Sequence, residues 1–262
     1  MIISLVAFMA LQASAQVDST KGVPITFVFT HTLQAGETGV GINGTFNNWG
    51  FYNNRHPYQM QNVGNNTWEI TVPLTPDTTG HYTKPGGSGN DGPGVYEYKF
   101  VTYNISGGDT TIAGWFPDPL DPLQNAGNNN NSILYVTDPA IYDLTPLSGS
   151  TINNKSPVVS ARIVSALSSK LVVSSIKLTI NGVPVSNSPS YFDSTAGTFS
   201  YRAPSPLLAG KYSVVLSAMN NEGSVGIDSS IFDISNAIVL GNDCSNGHCT
   251  NRRPKDCSLF RT

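Results

Sequence analysis

Two tryptophans of this sequence lie at the end or edge of a predicted strand, and neither belongs to an alternating buried face. Trp49 follows two asparagines, and Trp115 lies between Gly114 and Phe116. An aromatic ring held flat at a surface can stack on the C–H face of a sugar, because its negative face attracts partly positive C–H groups. Both side chains are therefore candidates for binding a carbohydrate. The alternative is that they cap a hydrophobic core, as the alternating pattern predicts for Trp68.

A lysine in an aromatic-rich segment is the third candidate. Lys99 lies in a predicted strand, 95–103, in which Tyr96, Tyr98 and Phe100 share the core-facing side. Because side chains alternate across a strand, Lys99 points the other way, and its ammonium group is free to donate to sugar hydroxyls. The alternative is a solvated lysine that pairs with Glu97 on the same face.

Four short segments occur in an order that characterises one family. They are Gly-Ile-Asn-Gly-Thr-Phe-Asn-Asn-Trp (41–49), Tyr-Glu-Tyr-Lys-Phe (96–100), Gly-Trp-Phe-Pro-Asp-Pro (114–119) and Asn-Asn-Ser-Ile-Leu-Tyr-Val (130–136). Together they resemble the family 48 carbohydrate-binding module, which includes the glycogen-binding domain of the AMP-activated kinase β subunit and the N-terminal domains of isoamylases and branching enzymes. The resemblance covers roughly a third of the chain.

The resemblance implies a ligand and a role for each candidate. In the family, tryptophans at the positions of Trp49 and Trp115 stack on glucose, and the lysine at the position of Lys99 donates to sugar hydroxyls. Asn131 occupies the position of an asparagine that hydrogen-bonds the glucan. Residues 128–131 are all asparagine, so the register is open among the four, and Asn129 is also a candidate. The implied ligand is an α-1,4-glucan such as starch, glycogen or a maltooligosaccharide.

Two aspartates could suggest glycoside hydrolysis, which requires a pair of carboxyl groups. Asp118 and Asp121 each precede a proline in the family pattern Asp-Pro-x-x-Pro. We interpret both as turn residues, because aspartate hydrogen-bonds its own backbone and proline fixes the turn. The sequence indicates no concave pocket that would raise the pKa of such an acid. No catalytic residue, metal ligand or cofactor is therefore predicted.

Alternating apolar and polar residues dominate the sequence, which predicts an all-β fold built from β-sandwiches. Residues 176–185 and 210–218 resemble bacterial immunoglobulin-like modules. With the family 48 resemblance, this implies two consecutive immunoglobulin-like β-sandwiches. The expected division is a signal peptide (1–16), a family 48-like module (17–137), an immunoglobulin-like module (138–236) and a cysteine-containing tail (237–262). Predicted strands include 23–30, 39–43, 67–74 and 132–136 in the first module. Those in the second include 158–164, 175–180, 198–202, 211–219 and 229–234. A loop rich in glycine and proline, 76–94, is an insertion in the first module.

Composition limits the partners. Charged residues make up 12% of the chain and the formal net charge is −3; without a basic stripe, nucleic acid is not an expected partner. Residues 2–11 are apolar and Ala13-Ser14-Ala15 follows, which predicts a cleaved secretory signal and a secreted or cell-surface protein. The alternative is a buried first strand. No segment is expected to span a membrane.

The tail contains all three cysteines, Cys244, Cys249 and Cys257. Their spacing, with His248 nearby, fits no common zinc pattern, and an odd number of cysteines is unusual in an exported chain. One disulfide with a spare thiol is an alternative. The hypothesis favoured by the abrupt change in composition is that the tail is not native sequence.

The order of signal, glucan module and spacer module resembles the N-terminal part of a family 13 glycoside hydrolase of the α-amylase type. The catalytic barrel of such an enzyme needs ~250 residues, which residues 237–262 cannot supply. The predicted function is therefore non-catalytic binding of α-glucan, as an accessory protein or as a fragment that works with a downstream or separate hydrolase domain. The alternatives are a purely structural pair of sandwiches and a surface adhesion or protein-interaction module.

Overall fold

The computed structural model describes residues 17–50, 57–77 and 94–235, together with the backbone of 244–245 and 248–249. The first nine strands are β1 (Val23–Thr30), β2 (Gly39–Gly44), β3 (Tyr58–Gln59), β4 (Gln61–Gly64), β5 (Thr67–Leu74), β6 (Val95–Ser106), β7 (Asp109–Phe116), β8 (Gln124–Asn125) and β9 (Asn131–Tyr135). The next nine are β10 (Ala140–Thr145), β11 (Thr151–Ile152), β12 (Val158–Val164), β13 (Leu171–Ile180), β14 (Val183–Pro184), β15 (Phe192–Asp193), β16 (Thr198–Arg202), β17 (Gly210–Asn220) and β18 (Val225–Ile234). Two short 3-10 segments, Thr45–Gly50 and Ser188–Tyr191, interrupt them.

The first sandwich packs two sheets around an aromatic core. One sheet has the order β1-β5-β4, and the other has the order β3-β2-β6-β9-β8, with β7 pairing with β6. The core forms because alternate residues of β1 and β5 face inward onto β2 and β6. Its fully or nearly fully buried members include Ile25, Phe27, Phe46, Val72, Leu74, Tyr96 and Phe100.

The second sandwich has its own core. Its sheets have the orders β10-β12-β16-β15 and β11-β18-β17-β13-β14. The buried residues between them include Ile163, Ile176, Leu178, Phe199, Leu216 and Phe232. The fold is therefore all-β, with sheets packed as sandwiches, as the alternating pattern predicts.

Several predicted strands match the structure closely. The bounds of β1, β5, β12 and β16 equal the predicted ones. The predicted hairpin turn at Asn181-Gly182 is also confirmed, since both residues have positive φ (51° and 76°) between β13 and β14. Asparagine and glycine tolerate this left-handed conformation, and the turn joins strands with the correct twist.

Contacts join the two sandwiches directly. Tyr142, on β10, is buried in the first core although it follows the predicted boundary. The backbone N–H of Thr26 on β1 donates to the Tyr142 hydroxyl at 3.1 Å. The backbone N–H of Leu167 donates to the carbonyl of Gly22 at 3.0 Å. The Tyr142 side chain and the Leu167 backbone, both from the second sandwich, thus contribute to the packing and hydrogen bonding of the first.

Three predictions concern parts of the chain that the structure does not describe in full. The predicted signal (1–16), most of the insertion (76–94) and the side chains of the tail (237–262) lie outside the described residues. In the tail, the backbone of β19 (Cys244–Ser245) pairs antiparallel with that of β20 (His248–Cys249). Within the part of the chain that the structure describes, no helix is long and apolar enough to cross a bilayer.

Candidate ligand-binding site

A tight turn after β2 presents Trp49. The side-chain oxygen of Asn47 accepts the N–H of Gly44 at 2.9 Å, and its amide nitrogen donates to the carbonyl of Ile42 at 3.2 Å. These bonds reverse the chain directly after the strand. Asn48 and Trp49 then both adopt left-handed φ, of 50° and 55°. Such a φ is uncommon for a bulky residue, and strain of this kind persists where the surrounding structure holds it, often at functional positions.

Strand β7 presents Trp115 because its neighbour faces the core. Side-chain burial alternates along β7, and the Trp115 side chain is 46% exposed. Phe116 points the other way, with its ring centroid 5.5 Å from that of Phe29. Backbone pairing of Val101 with Trp115 fixes this register against β6. A slip by one residue would exchange the two aromatic side chains between core and surface.

The two tryptophan rings form one aromatic surface. Their centroids are 6.2 Å apart, and the ring planes are tilted by 50° relative to each other. Trp49 is half-buried and Trp115 is exposed, so neither belongs to the buried core. In this respect they differ from Trp68, which is a core residue and donates its indole N–H to the carbonyl of His31 at 3.0 Å.

Lys99 lies between this aromatic surface and residues 125–131, which we call the asparagine loop. Its ammonium group donates to the backbone carbonyl of Asn129 at 2.6 Å. Among the described residues it forms no ion pair with Glu97. The predicted alternative of a solvated Lys99–Glu97 pair is therefore wrong, and the reason is that Glu97 is fully buried and bonded elsewhere.

Glu97 organises the asparagine loop. Its Oε1 accepts the side-chain N–H of Asn125 at 2.5 Å, and its Oε2 accepts those of Asn128 at 2.6 Å and Asn131 at 2.8 Å. Sequence reasoning did not include Glu97 or Asn125 among the site residues. The signal was present in the sequence as a carboxylate on the same face as Lys99, but only the fold brings the loop onto it.

All five predicted binding residues meet at one groove. A cavity of about 520 Å³ is lined by Trp49, Lys99, Trp115, Asn128, Asn129 and Asn131. Asn131 is itself almost fully buried, and its amide nitrogen is committed to Glu97. The backbone of Asn129 has positive φ (54°) and turns its carbonyl toward Lys99. The groove thus combines an aromatic surface, one cationic donor and several amide groups.

The predicted turn roles of two aspartates are confirmed. Asp118 accepts the N–H of Leu120 at 2.8 Å, and Asp121 accepts that of Leu123 at 2.9 Å, each through Oδ1. For Asp121, the expectation that no concave pocket is present is wrong. A second cavity, of about 540 Å³, lies where the two sandwiches meet and is lined by Asp121, Asp143 and Asp228 among others.

Burial around this second cavity raises the pKa of three carboxyl groups. Loss of solvation raises the pKa of Asp121 and of Asp143 from 3.8 to about 7, and that of Asp228 to about 6. Neighbouring carboxylates contribute to the raised pKa values of Asp121 and Asp143, whereas Arg162, 3.5 Å from Asp143, opposes the rise in the pKa of Asp143. The fold brings these groups together from β10, β18 and the loop after β7.

We expect stability to fall as pH rises from about 4 to about 7. In that range the folded protein holds more protons on these groups than the unfolded chain does, so the free energy of unfolding decreases with pH. Denaturant titrations at pH 5 and pH 8 measure the difference. The stability difference between the two pH values should be smaller in the triple variant Asp121→Asn, Asp143→Asn, Asp228→Asn. It should be unchanged in Asp109→Asn, a substitution at an exposed position. An equal pH dependence in wild type and triple variant would contradict the assignment.

No protein-family model matches the sequence, and no match is found among curated proteins. Several solved structures show weak similarity in sequence identity and TM-score, and three of them illustrate it. The three include dimeric latent PorU from Porphyromonas gingivalis (15% identity, TM-score 0.35) and a 1.5-MDa bacterial ice-binding adhesin retained on the host cell surface (16%, 0.23). The third is SGBP-B of the Bacteroides ovatus mixed-linkage glucan utilization locus, in complex with a mixed-linkage heptasaccharide (12%, 0.20). The matches cover 84%, 82% and 80% of this chain but 20%, 59% and 63% of those chains.

Proposed function

We propose that this protein binds a neutral polysaccharide in the groove between Trp49, Trp115 and the asparagine loop. The observation that carries the proposal is the tryptophan pair, whose centroids are 6.2 Å apart in one solvent-accessible groove. Sugar rings present C–H groups that stack on such surfaces. Two adjacent rings supply two stacking positions along one chain.

The specific ligand that we propose is an α-1,4-glucan, such as starch, glycogen or a maltooligosaccharide. The 50° tilt between the indole planes suits a chain that curves from one sugar to the next. Lys99 supplies ammonium donors beside the rings, and amides supply both donors and acceptors for paired hydroxyls. The resemblance of four segments to the family 48 module leads to the same ligand.

The role that we propose is non-catalytic. The protein would act outside the cytoplasm, as an accessory module or as the N-terminal part of an extracellular α-amylase-type enzyme. Among the residues that the structure describes, those that line the groove include one ammonium group and no carboxyl group. Glycoside hydrolysis normally uses two carboxyl groups that flank the bond, so the groove is suited to holding a glycan rather than cleaving it.

Affinity electrophoresis tests the proposed function. The protein is run in native gels cast without polysaccharide, with soluble starch, with glycogen, or with a mixed-linkage β-glucan of similar size. We expect retardation in the two α-glucan gels and less in the β-glucan gel. Equal retardation in all three would support glycan binding but contradict the α-glucan preference. No retardation in any gel would contradict the proposed function and favour a structural role.

A further inference from the structure

One segment of the chain connects the groove with the second cavity. Residues 115–125 begin at Trp115, on the aromatic side of the groove, and end at Asn125, where the asparagine loop begins. Between these ends, residues 120–123 line the second cavity. They lie between β7 and β8, outside any strand. A displacement at the second cavity therefore acts on a segment that carries both sides of the groove.

Hydrogen bonds tie the cavity-lining part of this segment to β9. Oδ1 of Asp121 accepts the backbone N–H of Leu123 at 2.9 Å, and the carbonyl of Leu123 accepts the backbone N–H of Ile133 at 3.0 Å. Ile133 lines the second cavity as well. Asp121 thus holds the base of the hairpin formed by β8 and β9, whose connecting loop is the asparagine loop.

The same hairpin sets the conformation of the asparagine loop. Asn125 lies opposite Asn131 in the pairing of β8 with β9. The carbonyl of Asn125 accepts the backbone N–H groups of Asn128 at 3.0 Å and of Asn130 at 3.1 Å. The loop that lines the groove is therefore folded around a residue that lies close to Asp121 along the chain.

The second cavity places carboxyl groups on both sides of the junction between the sandwiches. Asp121 belongs to the first sandwich, whereas Asp143 on β10 and Asp228 on β18 belong to the second. Burial is the main cause of the raised pKa of Asp121, and both of these carboxylates contribute to it, so the ionised groups are near enough to repel one another. Oδ2 of Asp121 is buried and, within the part of the chain that the structure describes, has no hydrogen-bond partner. A negative charge on Asp121 is therefore poorly compensated.

Further charged and titratable groups face the three aspartates. Asp118 is another carboxyl group, and burial raises its pKa. Arg162 on β12 lies 3.5 Å from Asp143 and offsets part of its charge. The tyrosines that face the cluster are Tyr98 on β6, Tyr135 on β9 and Tyr142 on β10. Because arginine and tyrosine keep their charge state between about pH 5 and pH 8, the change in charge at the cavity in this range is that of carboxyl groups.

We propose that Asp121, Asp143 and Asp228 form a pH-sensitive switch that regulates glycan binding in the groove. When the three side chains are protonated, residues 120–123 lie against the second sandwich and the asparagine loop keeps its conformation. When they are ionised, repulsion across the junction displaces residues 120–123 and, through the hairpin, the asparagine loop. Binding is thus tighter at acidic pH and weaker at alkaline pH. The inference rests on the proposed glycan binding and adds the regulation of that groove.

The first test measures affinity against pH. Isothermal titration with maltoheptaose is run on the wild type between about pH 5 and pH 8 at constant ionic strength. We expect the affinity at pH 8 to be at least about fivefold lower than at pH 5, since coupling of this size is typical between linked sites. The triple variant Asp121→Asn, Asp143→Asn, Asp228→Asn should bind about equally at both values, and Asp109→Asn, at an exposed position on β7, should follow the wild type. Wild-type binding that does not change with pH would overturn the switch.

A histidine near the groove supplies the competing explanation. His31 packs on Phe116, with ring centroids 5.4 Å apart, and its Nε2 lies 2.8 Å from Oε2 of Glu37. Histidine titrates in the same pH range, and Phe116 is the chain neighbour of Trp115. His31→Gln is therefore measured beside the triple variant, and we expect it to keep the pH dependence of the wild type. Loss of the pH dependence in His31→Gln, with retention in the triple variant, would overturn the proposal.

Linkage requires the reverse effect as well. A glycan that binds the protonated form more tightly increases the proton affinity of the three aspartates. Titrations near pH 7 in two buffers that differ in their enthalpy of ionisation should therefore show net proton uptake on binding in the wild type. The uptake should be smaller in the triple variant. Net proton release would contradict the proposed direction of the switch.

A measurement without ligand separates the switch from the proposed function. In ¹⁵N-correlated NMR spectra, the backbone amide signals of residues 125–131 should shift between pH 5 and pH 8 in the wild type and much less in the triple variant. If the triple variant does not fold, Asp121→Asn alone is used, and its loop signals should shift less than those of the wild type. Loop signals that titrate alike in the wild type and the variants would overturn the switch. If the wild type binds no glycan at any pH, the proposed function fails, and the NMR comparison still decides whether the second cavity controls the loop.

Discussion

Replacing Trp49 and Trp115 together by alanine should weaken starch and glycogen binding by well over tenfold. Each ring contributes ~1 kcal/mol by stacking beyond its burial, and 1.4 kcal/mol corresponds to a tenfold change in affinity. Because both rings line the groove without belonging to the core, the variant should remain folded. Isothermal titration with maltoheptaose and affinity electrophoresis would both measure the loss.

Single variants and a control sharpen this test. Trp115→Ala should lower the affinity for the glycan more than Trp115→Phe does, because phenylalanine retains an aromatic ring for stacking, although a smaller one. Tyr191→Ala is the matched control, since Tyr191 is a partly exposed aromatic residue of the second sandwich. Retention of full affinity by the double tryptophan variant would place any glycan site elsewhere.

Truncating Phe100 to alanine should lower the free energy of unfolding by about 3–5 kcal/mol. Phe100 is fully buried, and its ring stacks on Phe29 with centroids 4.5 Å apart and planes within 16° of parallel. Its removal leaves a cavity between the two sheets that neighbouring side chains fill only in part. Urea denaturation followed by far-UV circular dichroism measures the change.

The matched control is an apolar residue at the surface. Ile227 is 61% exposed, so Ile227→Ala should change the free energy of unfolding by no more than about 0.5 kcal/mol. A loss below about 1 kcal/mol for Phe100→Ala would contradict the core assignment. Because Phe100 pairs with Phe116 in the backbone register, the same variant should also disturb the presentation of Trp115.

The parts of the fold that the sequence predicted are those in which one strand face is buried and the other is not. Strands β1, β5, β12 and β16 alternate in this way, and their predicted bounds match. In β6 both faces are covered, so alternation alone could not show that Glu97 is buried. The short strands β3 and β8 contain too few residues for a periodic signal.

The groove could be predicted only in part for a different physical reason. The tryptophans and Lys99 stand out by residue type and position, and the structure brings them together. The run 128–131 consists of one residue type, so no pattern distinguishes its members. Their roles differ through backbone conformation: Asn129 and Asn130 have positive φ, whereas Asn131 begins β9 and faces Glu97. The second cavity, where the two sandwiches meet, combines residues from distant segments, which no local pattern reveals.

The hydrogen bond from Thr26 to the Tyr142 hydroxyl has a consequence for how the molecule can be divided. A chain cut after Thr137 would contain every strand of the first two sheets but would lack Ala140, Tyr142 and Ala166, which belong to the first core. The unit that can be transplanted onto another protein, or produced alone at full stability, therefore extends at least through Ala166. A gene rearrangement at the apparent sequence boundary would separate the face with the proposed glycan-binding groove from part of the packing that supports it.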